Sequence, residues 1–305
     1  MTITSSAPLA GSATTRSIPS SRTHARLVQL AKALRRAARN PSTLVGSLIV
    51  LALVLAAILA PVFATHDPMA QDLSARLSPP NAAHWLGTDQ LGRDLYSRLL
   101  YGAQPTLMIV VLVVAISAPF GVAIGLLAGY FGRWVETLLM RVTDIVMAFP
   151  RLILALALVA VLQPGLINAV IAIAITAWPP YARLTRAETL ALRHSEFVEA
   201  ARGLGMPSRK IITGQILPLC VSSAAIRATL DMAGIILTAA GLGFLGLGAQ
   251  PPMAEWGAMI AAGRDHIFDA WWVAAVPGLA IVLVSLGFNL LGDGLRDVLD
   301  PKAAR

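Results

Sequence analysis

The sequence has few charged residues and a single cysteine, and each shortage excludes a class of protein. Charged residues make up 13% of the 305 residues, whereas about a quarter is usual in soluble domains. Cys220 is the only cysteine, which excludes a disulfide framework and a cysteine metal site. The five histidines are scattered, and no two have the spacing of a ligand pair on one helix. The sequence therefore predicts no metal site.

Motifs for nucleotide chemistry and for nucleophilic catalysis are also missing. The chain contains no G-x-x-x-x-G-K-[ST] sequence, so it has no P-loop for ATP. No serine lies near a histidine in a recognisable catalytic motif. Residues 241–246, GLGFLG, match G-x-G-x-x-G, but they end an apolar stretch, and Gln250-Pro251-Pro252 follows where a helix should begin. We expect these glycines to let helices approach closely, and we predict neither an enzyme nor a bound cofactor.

What the sequence does contain is apolar stretches, because 56% of it is hydrophobic and its mean hydropathy is +0.71. Crossing about 30 Å of hydrocarbon takes about 20 apolar residues in a helix. The sequence contains six such stretches: residues 42–64, 106–130, 135–162, 166–181, 216–241 and 270–291. The fourth is short and ends in Pro179-Pro180. This pattern predicts an all-α membrane protein with six transmembrane helices.

The distribution of basic residues predicts the orientation. Seven lie in the first 39 residues, one is Arg133, six lie within residues 183–210 and three follow residue 292. Only Arg76, Arg93, Arg98 and Arg264 lie on the opposite side. Basic residues favour the cytoplasmic side, so we expect both termini inside. The flank before the first apolar stretch is too long for a typical signal peptide, and its charge suits anionic lipid better than nucleic acid.

The N-terminal residues are basic and contain no acidic residue. Residues 25–40 have apolar residues at helical spacing, which fits either a short helix on the inner leaflet or a frayed tail. The tail, residues 1–40, is expected to be cytoplasmic and partly disordered.

Two acidic residues within the apolar stretches have a basic residue one helical turn away. Arg141 and Asp144 are three residues apart, and Arg227 and Asp231 are four apart. Unpaired charge is costly in hydrocarbon, so we interpret both as structural ion pairs within one helix. The alternative is a proton relay or ion site, as in an ion-coupled secondary transporter.

Residues 196–218, EFVEAARGLGMPSRKIITGQILP, interrupt the apolar chain on the predicted cytoplasmic side. The apolar residues Phe197, Ala200, Ala201 and Leu204 have helical spacing, and Glu196, Glu199 and Arg202 occupy the other side. Two nearby glycines and Pro207 predict a turn and a second short helix. We interpret this segment as a docking surface for a partner, with an amphipathic loop on the membrane as the alternative.

Within this segment, EAARGLGMPSRKIITGQILP resembles the EAA loop of ABC importer permeases, E-A-A-x₃-G-x₉-I-x-L-P. Glu199, Ala200, Ala201 and Gly205 are in register, and Leu217-Pro218 closes the motif at the right distance. Gln215 stands where the motif has isoleucine, and Ile216 follows one residue later.

Four further stretches are similar to the second, C-type subunit of the dipeptide/oligopeptide/nickel permeases. They are residues 84–107, 140–158, 241–259 and 292–301, so the resemblance covers roughly residues 40–301. It implies a type I ABC importer fold, with the first transmembrane helix at 41–65, a periplasmic loop at 66–100, a permease domain at 101–292 and a cytoplasmic tail at 293–305.

The resemblance also implies function and partners. This chain would pair with a homologous second permease, two ABC ATPase subunits and a periplasmic or lipid-anchored solute-binding protein in a bacterial inner membrane. ATP would bind only to the partners, and no cofactor would bind here. The cargo would be di- or oligopeptides, with nickel or another small solute as the alternative. Asp89, Arg93 and Asp94 would be either docking charges or an internal salt-bridge cluster, and no residue is predicted to contact substrate.

Overall fold

The computed structural model describes residues 40–299, and in this part of the chain the secondary structure is helical. The predicted N-terminal tail lies outside these residues except for Asn40, as do residues 300–305 of the predicted C-terminal tail. The α-helices are α1 Pro41–Phe63, α2 Leu95–Phe131, α3 Arg133–Met147, α4 Arg151–Leu162, α5 Leu166–Ala177, α6 Pro179–Leu192, α7 Glu196–Gly203, α8 Ser208–Ile211, α9 Leu217–Phe244, α10 Trp256–Gly263 and α11 Trp272–Leu299.

Four helical stretches are long and apolar enough to cross a membrane: Pro41–Phe63, Leu95–Phe131, Ser208–Phe244 and Trp272–Asp297. A fifth arises if α3 and α4 count as one span, although an 88° bend separates them. The predicted fourth span, 166–181, corresponds to α5 of 12 residues and the beginning of α6. The described part thus gives four or five candidates, and six spans stay a prediction.

The bend between α3 and α4 follows from the sequence Ala148-Phe149-Pro150. Proline has no N–H and disfavours helical backbone in the residue before it, so a helix usually ends there. Here α3 ends at Met147 and Pro150 directly precedes α4. The predicted span 135–162 is therefore two helices rather than one straight segment.

Helix α2 begins earlier than the sequence predicts. Its 37 residues start at Leu95, inside the predicted loop 66–100, because the Asp94 side chain accepts the N–H of Ser97 at 2.8 Å and caps the helix. At 1.5 Å per residue the helix is about 55 Å long. It therefore extends beyond the hydrocarbon layer.

Small residues let α2 and α6 pack closely. Gly121, Gly125 and Gly129 recur every fourth residue on α2 and face α6. A Cβ at Gly125 would lie 2.5 Å from the carbonyl oxygen of Ala182, and one at Gly129 would lie 2.6 Å from Cβ of Thr189. Close backbone approach through glycine is a common mode of membrane helix packing. This glycine seam fixes the position of α6, which leads into α7.

The apolar residues form two buried clusters. The larger joins α1, α2, α4, α5, α9, α10 and α11. The smaller lies under α7 and comprises Leu126, Tyr130, Val198, Ala201, Ile211, Ile216 and Cys220. Many large apolar side chains outside both clusters are exposed, for example Ile58 and Val62 of α1 at 66% and 74%. Such exposure suits a protein whose outer surface contacts lipid or other subunits.

Candidate functional site

Residues 196–218 form a short helix, a tight turn and a second helical turn that continues into α9. Helix α7 carries Glu196 and Glu199 in its first turn, where negative charge is favourable. At its end the N–H of Gly205 donates to Arg202 O at 2.9 Å, and that of Met206 donates to Ala201 O at 3.0 Å. This pair of bonds is a Schellman motif, which needs a left-handed residue at its centre. Gly205 supplies it with φ +76°.

The inner face of α7 packs on the smaller cluster. Val198 is completely buried and Ala201 is 7% exposed, and both belong to the cluster that also contains Leu126 and Tyr130 of α2 and Cys220 of α9. The guanidinium of Arg202 lies 5.0 Å from the centre of the Tyr130 ring, at the end of α2. A cation over an aromatic face is attracted to it. Helix α7 is therefore held to α2 by apolar and cation–π contacts.

The outer face of α7 has no partner among the described residues. Leu204 is 86% exposed and Phe197 is 43% exposed, and Ala200 and Glu199 are also exposed. The predicted apolar stripe was thus partly wrong: Ala201 faces inward, together with Val198, which the stripe left out. We call Phe197, Ala200 and Leu204 the outer apolar face.

The Leu217-Pro218 pair follows a π-helical segment, Ile212–Ile216. The N–H of Leu217 donates to Ile212 O, five residues earlier, and Pro218 contributes no N–H to the wider turn. In this segment Ile216 is completely buried in the smaller cluster, whereas Gln215 is half-buried. Position 215 is therefore not the core position here, which accounts for a glutamine where the EAA motif has isoleucine.

Two arginines of α6 connect this helix to α3. Arg186 Nε donates to Glu136 Oε1 at 2.7 Å, and Arg183 Nη2 lies 2.6 Å from Asp144 Oδ1. The prediction that Asp144 pairs with Arg141 is therefore wrong, because Asp144 pairs with Arg183. Residues three apart on one helix are neighbours, but α6 runs alongside α3 and brings a second guanidinium within reach.

The second predicted pair also has a different partner. Asp231 Oδ1 lies 2.9 Å from Arg151 Nη1 rather than pairing with Arg227. Arg151 is the first residue of α4, so the bend at Pro150 directs it towards α9. The Tyr181 hydroxyl lies 3.5 Å from the other oxygen of Asp231. The result is a polar cluster between α4, α6 and α9, formed by three separate helices.

The loop charges Asp89, Arg93 and Asp94 are buried at 3%, 8% and 2% exposure. Asp89 Oδ2 accepts a hydrogen bond from Arg93 Nε at 2.7 Å, and it lies 3.6 Å from Arg98 Nε. Asp94 caps α2 and lies 2.9 Å from His84 Nδ1. Burial alone would raise the pKa of Asp94, but hydrogen bonds from Ser97 and His84 hold it below its usual value. Asp89 therefore pairs with Arg93, Asp94 bonds to His84 and Ser97, and none of the three side chains faces solvent.

The glycine-rich stretch 241–248 encloses a buried carboxyl group. Glu255 is 4% exposed and accepts the N–H groups of Gly257 and Ala258 at 2.9 and 2.8 Å, which caps α10. A Cβ at Gly243 would collide with this carboxyl group. Burial raises the pKa of Glu255, and the two backbone hydrogen bonds offset part of that rise. The glycine at position 243 therefore leaves the room that the buried carboxyl group of Glu255 occupies.

Comparison with known proteins places these features in a family. Residues 121–305 match the family described as "Binding-protein-dependent transport system inner membrane component". The "Probable D,D-dipeptide transport system permease protein DdpC" of Escherichia coli (strain K12) is 47% identical over 264 residues, 87% of this chain and 89% of the relative. The "Di/tripeptide transport system permease protein DppC" of Pseudomonas aeruginosa (strain UCBPP-PA14) is 48% identical over 271 residues, 87% of this chain and 89% of the relative. The chain belongs to this family.

Two further matches agree with the permease assignment. Residues 29–80 match the "N-terminal TM domain of oligopeptide transport permease C". An inward-facing structure of the MetNI methionine ABC transporter superposes with a TM-score of 0.54 at 20% identity, covering 68% of this permease and 98% of that chain. The permease therefore has the all-α type I ABC importer fold and is a multi-pass protein of the bacterial inner membrane.

Sequence reasoning missed two parts of the permease that position residues 196–218. One is the glycine seam of α2, whose signal is the small-xxx-small spacing of GVAIGLLAG, residues 121–129. The other is the pairing of Arg183 and Arg186 with α3. No local spacing signals those pairs, because their partners lie 39 and 50 residues away.

Proposed function

We propose that this permease and a homologous second permease together form the pathway of an ATP-driven importer for di- and oligopeptides. The relatives that support this are named as dipeptide or di/tripeptide permeases and are 45–48% identical to it. The chain has no P-loop, so ATP hydrolysis is assigned to two ATPase subunits on the cytoplasmic side. The chain itself binds no cofactor in this proposal.

The outer apolar face of α7 is the observation that carries the coupling role. Leu204 is 86% exposed on a segment that we predict, from the charge distribution, to lie on the cytoplasmic side. Exposed apolar patches rimmed by polar residues mark protein interfaces. Glu196 and Glu199 are the polar rim, and both are exposed. The ATPase subunit is the proposed occupant of this face.

The inner face of α7 supports transmission of movement from that ATPase into the membrane helices. Val198 and Ala201 lie in the same buried cluster as residues of α2 and α9, and the Schellman motif at Gly205 fixes the turn into α8. Helix α6, which directly precedes α7, is packed on α2 through the glycine seam. Since interiors are close-packed, displacement of α7 is expected to carry α2, α6 and α9 with it.

The solute-binding protein is assigned to the opposite side. The loop between α1 and α2 and the α10 region face outward if both termini are cytoplasmic. Exposed apolar side chains occur there too, for example Trp85 at 56% and Phe268 at 97%. These residues are the proposed contact region for the binding protein.

Substitution of Leu204 by glutamate tests the coupling role. The side chain makes no buried contact, so Leu204→Glu should leave the fold intact while it places charge in the proposed interface. We expect at least about a tenfold loss of ATPase association and of peptide-stimulated ATP hydrolysis, the size of an interface hot spot. Phe268→Glu is the control for ATPase association alone, because it adds the same charge at an exposed apolar position on the other side of the membrane, in the proposed contact region for the binding protein. Unchanged ATPase association in Leu204→Glu would disprove the docking proposal.

Uptake by the reconstituted complex tests the cargo. Proteoliposomes containing both permeases and the ATPases, supplied with the binding protein, should accumulate a labelled dipeptide in an ATP-dependent manner. Excess unlabelled dipeptide should compete, and Ni²⁺ should not. ATP-dependent uptake of Ni²⁺ without peptide uptake would contradict the peptide assignment and support the alternative cargo.

A further inference from the structure

Three metal-ligating side chains from separate segments meet at the outer end of α2. His66 follows the end of α1, His84 lies in the loop and Asp94 caps α2. Their ligand atoms all lie within 4.8 Å of one another. Asp94 Oδ1 is 2.9 Å from His84 Nδ1 and 3.9 Å from His66 Nδ1, and the two imidazole centres are 4.7 Å apart. Asp94 is the acidic side chain that both imidazoles approach.

We propose that His66, His84 and Asp94 bind one divalent transition-metal ion of the Zn²⁺ class. Tetrahedral Zn²⁺ with bonds of about 2.0–2.1 Å holds its nitrogen and oxygen ligands about 3.3 Å from one another. The distances of 2.9 and 3.9 Å from Asp94 Oδ1 to the two Nδ1 atoms lie on either side of that value. Since all three ligand atoms lie within 4.8 Å of one another, rotations of the imidazoles would bring them together around the ion. Imidazole and carboxylate ligands suit Zn²⁺ and its neighbours in the first row.

The carboxylate of Asp94 is oriented for this role by the helix that it caps. Its Oδ2 accepts the N–H of Ser97 at 2.8 Å, which leaves Oδ1 facing both histidines. A hydrogen-bonded second oxygen is the usual way in which proteins hold a ligating carboxylate in place. The Thr65 hydroxyl, 3.0 Å from His66 Nδ1, lies beside the site and offers a partner to a water in the fourth position.

The three side chains differ in exposure, so the site is partly buried but open to solvent on one side. Asp94 is completely buried, His84 is 17% exposed and His66 is 41% exposed. An ion can therefore enter from the outer aqueous side past His66 and reach a carboxylate that bulk water does not solvate. Without metal, His84 Nδ1–H donates to Asp94 Oδ1, and binding replaces that proton with the ion. The negative charge of Asp94 offsets the unfavourable position of a cation near a helix N-terminus.

The consequence of occupancy is structural. The ion would join the end of α1, the middle of the loop and the first turn of α2 at one point. A cross-link of this kind reduces the freedom of the loop between them, which spans residues 64–94. This inference does not depend on the proposed cargo or on ATPase docking, and its test needs no transport.

The test measures Zn²⁺ binding to the full-length chain in nanodiscs, purified with a tag that contains no histidine. Competition with a chromogenic chelator should show one Zn²⁺ per chain at micromolar affinity or better. His66→Gln should weaken binding at least about tenfold, as loss of a metal-site residue commonly does. His266→Gln, which removes a histidine elsewhere on the same side, should bind Zn²⁺ as the parent does.

Two further measurements keep the outcome clear if a variant folds poorly. Circular dichroism and size-exclusion profiles of His66→Gln should match the parent, since this side chain is largely outside the core. Co²⁺ bound to the parent should show the visible d–d absorption of a tetrahedral site, and His84→Gln should lose it. Equal Zn²⁺ affinity of the parent and His66→Gln, or no Zn²⁺ binding by the parent at micromolar concentration, would overturn the proposal.

Discussion

The backbone N–H of Met206 donates to the carbonyl oxygen of Ala201 at 3.0 Å, and this bond closes helix α7 around Gly205. The bond forms only because Gly205 adopts φ +76°. No atom lies within 4 Å of a Cβ placed there, so the need for glycine comes from the backbone and not from space. Gly205 is thus a helix stop that sets the path of the chain between α7 and α8.

Gly205→Ala should therefore loosen the turn. An L-residue in left-handed backbone costs about 1–2 kcal/mol. Hydrogen–deuterium exchange of residues 196–206 should be faster in this variant, and Gly205→Asn should lie between it and the parent. Gly203→Ala is the matched control, because Gly203 is helical and has open space around it. This variant should exchange as slowly as the parent or slightly more slowly. Equal exchange in Gly205→Ala and the parent would show that the turn does not depend on glycine.

The Arg151–Asp231 pair should contribute more to stability than the Arg183–Asp144 pair. The Asp231 side chain is 5% exposed, whereas that of Asp144 is 56% exposed. Asp231→Asn should cost on the order of 2 kcal/mol, less than breaking a fully buried pair because Arg151 is partly exposed. Asp144→Asn should cost about 0–1 kcal/mol. Thermal unfolding in nanodiscs measures the stability of both variants. Equal losses of stability would show that burial does not decide what the two ion pairs contribute.

The glycine seam between α2 and α6 should not accept a methyl group. A Cβ at Gly125 would lie 2.5 Å from the backbone oxygen of Ala182, which cannot rotate away. Gly125→Ala should therefore destabilise the permease by about 1–3 kcal/mol. At Gly241 the nearest atom to an added Cβ is a flexible Leu152 methyl at 3.4 Å. Gly241→Ala should be neutral in the same thermal assay, and a loss as large as that of Gly125→Ala would count against close packing as the cause.

Glu255 should make stability depend on pH in a defined direction. Its pKa in the folded protein is raised above the usual 4.5, mainly by burial. The folded state therefore binds the proton more tightly than the unfolded state, so this contribution is present below pH 4.5 and is lost as pH rises through the raised pKa. Glu255→Gln should remove that slope from a plot of unfolding temperature against pH. Asp265→Asn, at an exposed acid nearby, should keep it.

The sequence predicted what depends on local pattern and missed what depends on distant chain segments. The apolar stretches, the helix–turn–helix at 196–218 and the glycine stop follow from hydropathy, spacing and turn chemistry. The partners of Asp144 and Asp231 were wrong because the true partners are brought near by helix packing across 39 and 80 residues. The bend at Pro150 was missed because hydropathy averages over 135–162 and does not register one proline. The meeting of His66 with His84 follows from loop folding, which no periodicity encodes.

Helix α2 has its two ends in different compartments if the orientation holds. At one end its cap, Asp94, touches His66 and His84 of the outer loop. At the other end Tyr130 lies under Arg202 of α7. One continuous element of 37 residues thus spans the distance between the two contacts. The helix therefore joins the two contacts directly, and Pro105 and Pro119 inside it are the positions where a missing backbone N–H makes bending easiest.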